Sequence, residues 1–371
     1  MHEKSTLMKK SIIISLLAII TLSSSAANEK TLSGNDAGAT YTGRTEVKTD
    51  GSVSYDWSGV YMQTDFTGGY LAIEVSEAGE SWHNLFIDGQ WVRKLKISGN
   101  TPQRIVLAER LSKGIHRLRL QKCTEGQYGC TTIHRFILAK NGTMSPVARK
   151  ERMIEIYGDS YTCGYGTEGH IANERFRLDT ENCNQAYGCI IARYFDADYA
   201  LTAHSGQGMV RDWGDVKQIS DKNMSTRYTH VYDDHGDIDY DFNRYRPQLV
   251  MINLGTNDFS PVAIPTDEQY VNAYLKMITT IQSHYEGVKI LCITPHSASR
   301  YLKAALNLLR ERTLGMENVY MANPLDNMVT EARDMGNDWH PNYQGQKKIA
   351  MSLIPQISAI MGWEMNDKTV E

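Results

Sequence analysis

Ser160 stands in the string IEIYGDSYTCGYG, directly after an apolar run that reads as a buried β-strand. A strand that ends in Gly-Asp-Ser presents a hydroxyl at the carboxyl edge of a sheet, where open α/β proteins hold their ligands. Two further segments answer it. NLGTND (253–258) follows a second apolar run, QLVMI, and supplies Asn257. DWHPN (338–342) precedes the last helical stretch and supplies His340. The three offer a nucleophilic oxygen, an amide donor and an imidazole base, in that chain order. Ester hydrolysis needs this set: an oxygen that attacks, a base that takes its proton, and donors for the oxyanion that develops.

Each residue also has a plainer role. A serine after a strand is a common helix N-cap, and an asparagine there is a common turn residue. His340 can be a surface histidine at a helix start, and Asp338 a solvated loop carboxylate. The conjunction of the three favours chemistry. Ser160 is then the nucleophile and His340, neutral near pH 7, the base. Asp338, two residues earlier, is placed to turn its carboxylate back to the imidazole. Asn257 donates to the oxyanion, with the backbone N–H groups of Ser160 and of a glycine in HSGQG (204–208). Gly206 is favoured over Gly208 because it comes first after the run YALTA.

Elements must hold these groups. Residues 28 to about 145 read as all-β. Runs such as GVYMQTDF, YLAIEVSE, NLFIDGQWV and HRLRLQK alternate apolar and polar residues between turn signals. This pattern predicts a β-sandwich of jelly-roll type. AKNGTMSPVARK (139–150) is a polar linker, so the boundaries are set at 28–145 and 150–371. Beyond it, RMIEIY, ADYALTA, QLVMINL, VKILCIT and NVYMANP read as buried strands with helices between them. Val271, Tyr274, Leu275, Ile278 and Ile281 predict a helix over about 267–285, with Thr266 and Gln269 as its capping box. Alternating β and α elements imply a parallel sheet covered on both faces.

The formal net charge of −4 gives no reason to expect nucleic acid or an anionic membrane. A monomer is expected. The chain has 21 tyrosines and 6 tryptophans, and flat aromatic faces pack on sugar rings as well as in cores. Lys9 and Lys10, an apolar run from Ser11 to Leu22 and the small residues SSSAAN form an export signal over residues 1–27, too short to span a bilayer. Cleavage is expected after Ala26 or Ala27, giving a secreted or periplasmic protein. Export permits disulfides. Cys123 and Cys130, flanking EGQYG, are the best pair; Cys183 and Cys189 are a second. Cys163 and Cys292 read as buried thiols. No C-x-x-C pair or Cys/His cluster suggests zinc. The acidic stretch HVYDDHGDIDYDF (230–242) lacks the glycine of a calcium loop and reads as a solvated connection near the rim of the site.

Residues 150 to 361 resemble the SGNH hydrolases, the GDSL-like lipase/esterase superfamily, whose four letters fall on Ser160, Gly206, Asn257 and His340. The wider chain resembles carbohydrate esterase family 2 through YTGRTEV, DWSGVYMQTDFTGGYLAIEV, the IDG turn at 87–89, GDSYTCGYG and INLGTNDFS. The resemblance implies a jelly roll joined to a flavodoxin-like domain with a five-stranded parallel sheet. It also implies metal-free hydrolysis of O-acetyl esters on plant polysaccharides such as xylan or mannan, with no cofactor. The usual pattern places an aspartate three residues before the histidine, and here Asn337 holds that place. Two arrangements stay open: a triad with Asp338 in a shifted geometry, or a Ser–His dyad whose ring is held by a backbone carbonyl. Trp339 is a candidate wall against the substrate sugar, or packing under its loop. Two other functions remain: an esterase acting on peptidoglycan or lipid esters, and a carbohydrate-binding protein with a vestigial hydrolase domain.

Overall fold

The computed structural model describes residues 28–325 and 328–371. The segment read as an export signal lies outside them. The first ten strands are β1 Glu29–Ser33, β2 Thr40–Thr42, β3 Glu46–Val47, β4 Val53–Tyr55, β5 Tyr61–Phe66, β6 Leu71–Ile87, β7 Gln90–Ala108, β8 His116–Lys122, β9 Gly129–Ala139 and β10 Met144–Ser145. They form one antiparallel sheet in the order β10-β5-β8-β6-β9-β4-β3, with β1 on β9, β2 on β5 and β7 on β6. The long β6 lets this sheet curl. Its first half pairs with β9 and its second half with β8. Register shifts between Val75 and Glu80 bend it at the crossover. The curl buries Val53, Leu71, Ile73, Leu85, Leu118, Leu120 and Phe136. The stretch read as a linker is partly structured, since Met144 and Ser145 pair with Phe66 and Asp65.

Five parallel strands follow: β11 Arg152–Gly158, β12 Ala197–Ala203, β13 Leu249–Asn253, β14 Lys289–Cys292 and β15 Val319–Met321. Their order, β12-β11-β13-β14-β15, is the doubly wound one. The sheet is buried on both faces, which is why its strands read as continuous apolar runs. Helices α1 Ser160–Cys163, α2 Tyr187–Tyr194, α3 Met224–Arg227, α4 Asp267–His284, α5 Arg300–Thr313 and α6 Tyr343–Met361 intervene. Ile190, Leu353 and Ile357 of α2 and α6 pack with Ile154 and Ile156 of β11. Tyr274, Ile278 and Leu309 of α4 and α5 pack on the other face with Tyr157. Helix α4 starts as its sequence dictates: Thr266 accepts the Gln269 N–H, and the Gln269 side chain accepts the Thr266 N–H.

The two sheets share one core. Tyr55, Trp57 and Leu71 belong to the same buried cluster as Tyr157 and Tyr274. Arg44, fully buried, reaches from the antiparallel sheet to Glu155 in β11 at 3.0 Å. Its guanidinium lies 4.1 Å from the Tyr240 ring centre. Tyr61 Oη donates to Asp198 at 2.7 Å across the same boundary.

The expected Cys123–Cys130 bridge is corrected: all six cysteines are buried free thiols. Cys130 is held in the β9 ladder opposite Ala78. The Cys123 thiol turns to its own strand, towards the Gln121 carbonyl at 3.8 Å. Cys183, of the second pair considered, points to the Lys122 carbonyl at 3.3 Å.

Candidate active site

The turn after β11 is built from Gly158 and Asp159. A Cβ on Gly158 would lie 2.0 Å from Thr162 Oγ1, so only glycine lets the chain fold back this tightly. Asp159 caps the short α1, its Oδ1 accepting the Tyr161 N–H at 3.1 Å. Burial pushes the Asp159 carboxyl up to about 7. Ser160 emerges at the carboxyl end of β11. The strand's neighbours β12 and β13 lie on opposite sides of it, which makes this the sheet's switch point.

His340 Nε2 is 2.9 Å from Ser160 Oγ. Its Nδ1 is 3.0 Å from the Asp338 backbone carbonyl oxygen. A carbonyl only accepts, so Nδ1 carries the proton and Nε2 turns its lone pair to the serine. The Asp338 carboxylate does not reach the ring, which corrects the expected triad. Its Oδ2 accepts the Phe176 N–H at 2.9 Å and the Tyr165 hydroxyl at 3.1 Å. The cause is local backbone geometry. Asp338 and Trp339 both take left-handed φ values, +46° and +60°, which non-glycine residues seldom adopt in succession. The turn aims a carbonyl, not a side chain, at His340.

The neighbouring segment holds this strained turn. Glu174 O accepts the Asp338 N–H at 2.8 Å and Ala172 O accepts the Trp339 N–H at 2.7 Å. Asn337 is fully buried, and its Oδ1 accepts the Thr180 hydroxyl at 2.6 Å. Its side chain supports the loop and makes no hydrogen bond to the ring. Burial holds the His340 imidazole below its ordinary value.

Asn257, after β13, brings its amide nitrogen 2.9 Å from the Gln207 carbonyl and 3.4 Å from Asp159 Oδ2. The amide has two N–H groups, and the longer contact leaves one weakly engaged. Gly206 sits at φ +82°. Among the described residues, neither its N–H nor that of Ser160 has a protein acceptor. Gly208 has another use. Its missing Cβ makes room for the Asp258 carboxylate, which would lie 2.1 Å away. That carboxylate accepts the N–H groups of Met209, Val210 and Arg211 at 2.8, 2.7 and 3.0 Å. The last residue of NLGTND thus ties the HSGQG loop to the segment after β13 that carries Asn257.

Several neighbours of the site were missed in the sequence. Trp213 donates its N–H to the Gly206 carbonyl at 2.7 Å and is 69 % exposed. Trp339, the one tryptophan singled out, is 62 % exposed, so it does not pack under its loop. The Tyr161 ring lies 5.5 Å from His340 and 4.9 Å from His296. Burial and the neighbouring His340 hold His296 down at about 4. The acidic stretch is only partly solvated, which corrects its reading. Asp233 is fully buried, with His204 Nδ1 at 2.8 Å and Arg227 at 3.0 Å. Asp56 accepts the N–H groups of Asp233, Asp234 and His235. Among the described residues, no group of three or more His, Cys, Asp and Glu side chains is arranged to hold a metal ion.

Comparison with known proteins sets this geometry in a family. Residues 41–147 match the carbohydrate esterase 2 N-terminal domain, and residues 156–348 the GDSL-like lipase/acylhydrolase family. The chain is 28% identical over 345 residues to the cellulase/esterase CelE of Acetivibrio thermocellus, covering 91% of this chain and 41% of that longer protein. It is 28% identical over 342 residues to an acetylxylan esterase / glucomannan deacetylase of Cellvibrio japonicus, covering 90% and 92% of the two chains. A family two carbohydrate esterase from Clostridium thermocellum, solved in complex with cellohexaose, superposes with a TM-score of 0.80 at 27% identity, over 88% of this chain and all of that one. With more than half of its length matched by one family model, the chain belongs to the GDSL-like lipase/acylhydrolase family, in the two-domain form of the family 2 carbohydrate esterases.

Proposed function

We propose that the protein is a secreted carbohydrate O-acetyl esterase that removes acetyl groups from hemicellulose such as xylan or glucomannan. The observation that carries the reading is the 2.9 Å contact between Ser160 Oγ and His340 Nε2, with Nδ1 on a backbone carbonyl. Ser160 Oγ attacks the acetyl carbonyl while His340 takes its proton. The Ser160 and Gly206 N–H groups and the Asn257 amide hold the oxyanion. His340 then gives the proton to the departing sugar oxygen as the C–O bond breaks. Water, deprotonated by the same imidazole, attacks the acetyl-enzyme and releases acetate with Ser160 restored. The pair works as a dyad. The Asp338 carbonyl fixes the tautomer, and its dipole supports the imidazolium less strongly than a carboxylate does.

The sugar part of the reading draws on the relatives' names and on two exposed tryptophans, Trp213 and Trp339, beside the reacting groups. Flat indole faces suit sugar rings. Secretion rests on the Lys9–Lys10 pair and the apolar run after it.

The test is acetate release from acetylated xylan, acetylated glucomannan and acetylated peptidoglycan, with Ser160→Ala alongside. The plant polysaccharides are expected to be the better substrates. Ser160→Ala is expected to lose several orders of magnitude, and activity within about tenfold of wild type would refute the nucleophile. Faster release from peptidoglycan would refute the substrate.

A further inference from the structure

The loop between β8 and β9 reaches out of the antiparallel domain and touches two parts of the candidate active site. Its first polar residues, Thr124 and Glu125, are fully inaccessible, as is Lys122 at the end of β8, while Gln127 at the tip is exposed. Lys122 Nζ donates to the carbonyls of Thr124 and Glu125 at 2.7 and 3.1 Å, which fixes the loop from within. Gly126 allows close approach, since a Cβ there would lie 2.6 Å from that of Asp233. The Tyr128 ring stacks on Phe176, Phe176 on Tyr165 at 3.9 Å, and Tyr165 lies 4.4 Å from the His340 ring.

Glu125 makes the more direct contact. Its Oε2 accepts the N–H of Ser205, one residue before Gly206. On the far side, the Gly206 carbonyl accepts the Trp213 N–H, and the Gln207 N–H reaches the His204 carbonyl at 3.3 Å. The peptide carrying the Gly206 N–H is therefore pinned from both ends, and one pin comes from the other domain. Glu181, also fully buried, accepts the Glu125 N–H at 3.2 Å. Burial and the adjacent Glu125 push the Glu181 carboxyl well above the usual range.

We propose that Glu125, supplied by the antiparallel domain, is a positioning residue: its carboxylate sets the Ser205–Gly206 peptide so that the Gly206 N–H faces the oxyanion. The proposal rests on the roles given above to Ser160 and Gly206. A buried polar chain of this kind earns no stability that an apolar loop lacks, but it fixes one geometry, and oxyanion donors act only when fixed in advance.

The experiment compares kcat, KM and thermal midpoint for wild type, Glu125→Met, Glu125→Gln, Glu125→Asp, Ser160→Ala and Tyr61→Phe on a soluble chromogenic acetate ester. Methionine fills the space without accepting a hydrogen bond. Glutamine still accepts, and aspartate keeps the carboxyl group but falls short of Ser205. Glu125→Met is expected to lower kcat about 10- to 100-fold, less than loss of a whole oxyanion donor, with KM within about threefold. Glu125→Gln is expected to keep kcat within about threefold of wild type, and Glu125→Asp to resemble methionine. Tyr61→Phe, which loses the Asp198 bond elsewhere on the domain boundary, is expected to lower the midpoint and leave kcat unchanged.

Wild-type kcat in Glu125→Met overturns the proposal, as does a glutamine variant no better than methionine, or an equal loss of kcat in Tyr61→Phe. If Glu125→Met does not fold, the aspartate and glutamine variants decide: equal kcat in the two overturns it. Ser160→Ala separates the layers. An inactive Ser160→Ala with a normal Glu125→Met removes this proposal alone. An active Ser160→Ala removes the reading of the site and this proposal with it.

Discussion

Asp338 shows how far a side chain's name can mislead about its work. Its carboxylate caps Phe176 N and holds Tyr165, while its carbonyl serves His340. Asp338→Asn keeps an acceptor for Phe176 and a residue type that tolerates left-handed φ. It is therefore expected to stay within about tenfold of wild-type kcat, where loss of a true triad carboxylate costs about 10⁴. A fall of that larger size would return the carboxylate to the ring. The acid side of the pH profile makes the same point. Burial holds His340 below its ordinary value although the nearby Asp338 and Glu125 side chains pull it the other way, and the partner at Nδ1 is a carbonyl, not a carboxylate. Below its pKa the ring is protonated and cannot act as base. The acid limb of kcat/KM should accordingly fall below about pH 6.5, the ordinary histidine value. A limb above it would show an ionised partner at Nδ1. Asn257→Ala is expected to lower kcat by roughly 10² to 10³ with little change in KM, the range for one oxyanion donor; a change confined to KM would make Asn257 a binding residue. Ser160, Asn257 and His340 were legible because each follows a strand or precedes a helix. Which atom of Asp338 meets the ring was not, because it depends on φ at two residues, and spacing does not record φ.

Elements were legible where periodicity and capping agree. Helix α4 begins at its capping box, and the five apolar runs become β11 to β15. Loops were harder. HSGQG presented two glycines, and the reading favoured Gly206 by order alone. In the fold Gly208 is occupied otherwise, as the notch for the Asp258 carboxylate. That carboxylate organises the whole loop through three backbone N–H groups. Asp258→Asn leaves an amide N–H facing a backbone N–H. It is expected to cost about 2–4 kcal/mol, on the scale of a lost charge-assisted hydrogen bond with a buried donor left unpaired. Urea unfolding measures this cost, and a loss below about 0.5 kcal/mol, the size of an ordinary surface change, would show that the loop is held by other contacts. The loop after β8 was misread for a different reason. Two cysteines bracket it, and spacing suggests a bridge. Redox pairing depends on where each thiol points, and here one lies in a ladder and the other turns to its own strand.

At the scale of the whole molecule, composition shifts separate the chain into two regions, yet one buried cluster runs through both. The join contains a charge pair no periodicity reveals. Arg44 and Glu155 are 0% and 3% exposed at the side chain. Glu155 also accepts the Tyr285 hydroxyl at 2.8 Å. A lone buried charge is costly, so Arg44→Met is expected to destabilise by about 3–5 kcal/mol, the usual effect of removing one partner of a buried pair. Adding Glu155→Gln should restore much of that, because the orphaned charge goes with it. Because the core is continuous, denaturant unfolding should show a single transition when followed by tryptophan fluorescence and far-UV circular dichroism together. Catalytic activity should be lost in that same transition, since the antiparallel domain supplies the Glu125 contact. Two separated transitions, with activity surviving the first, would mean that the parallel-sheet domain holds its site without its neighbour.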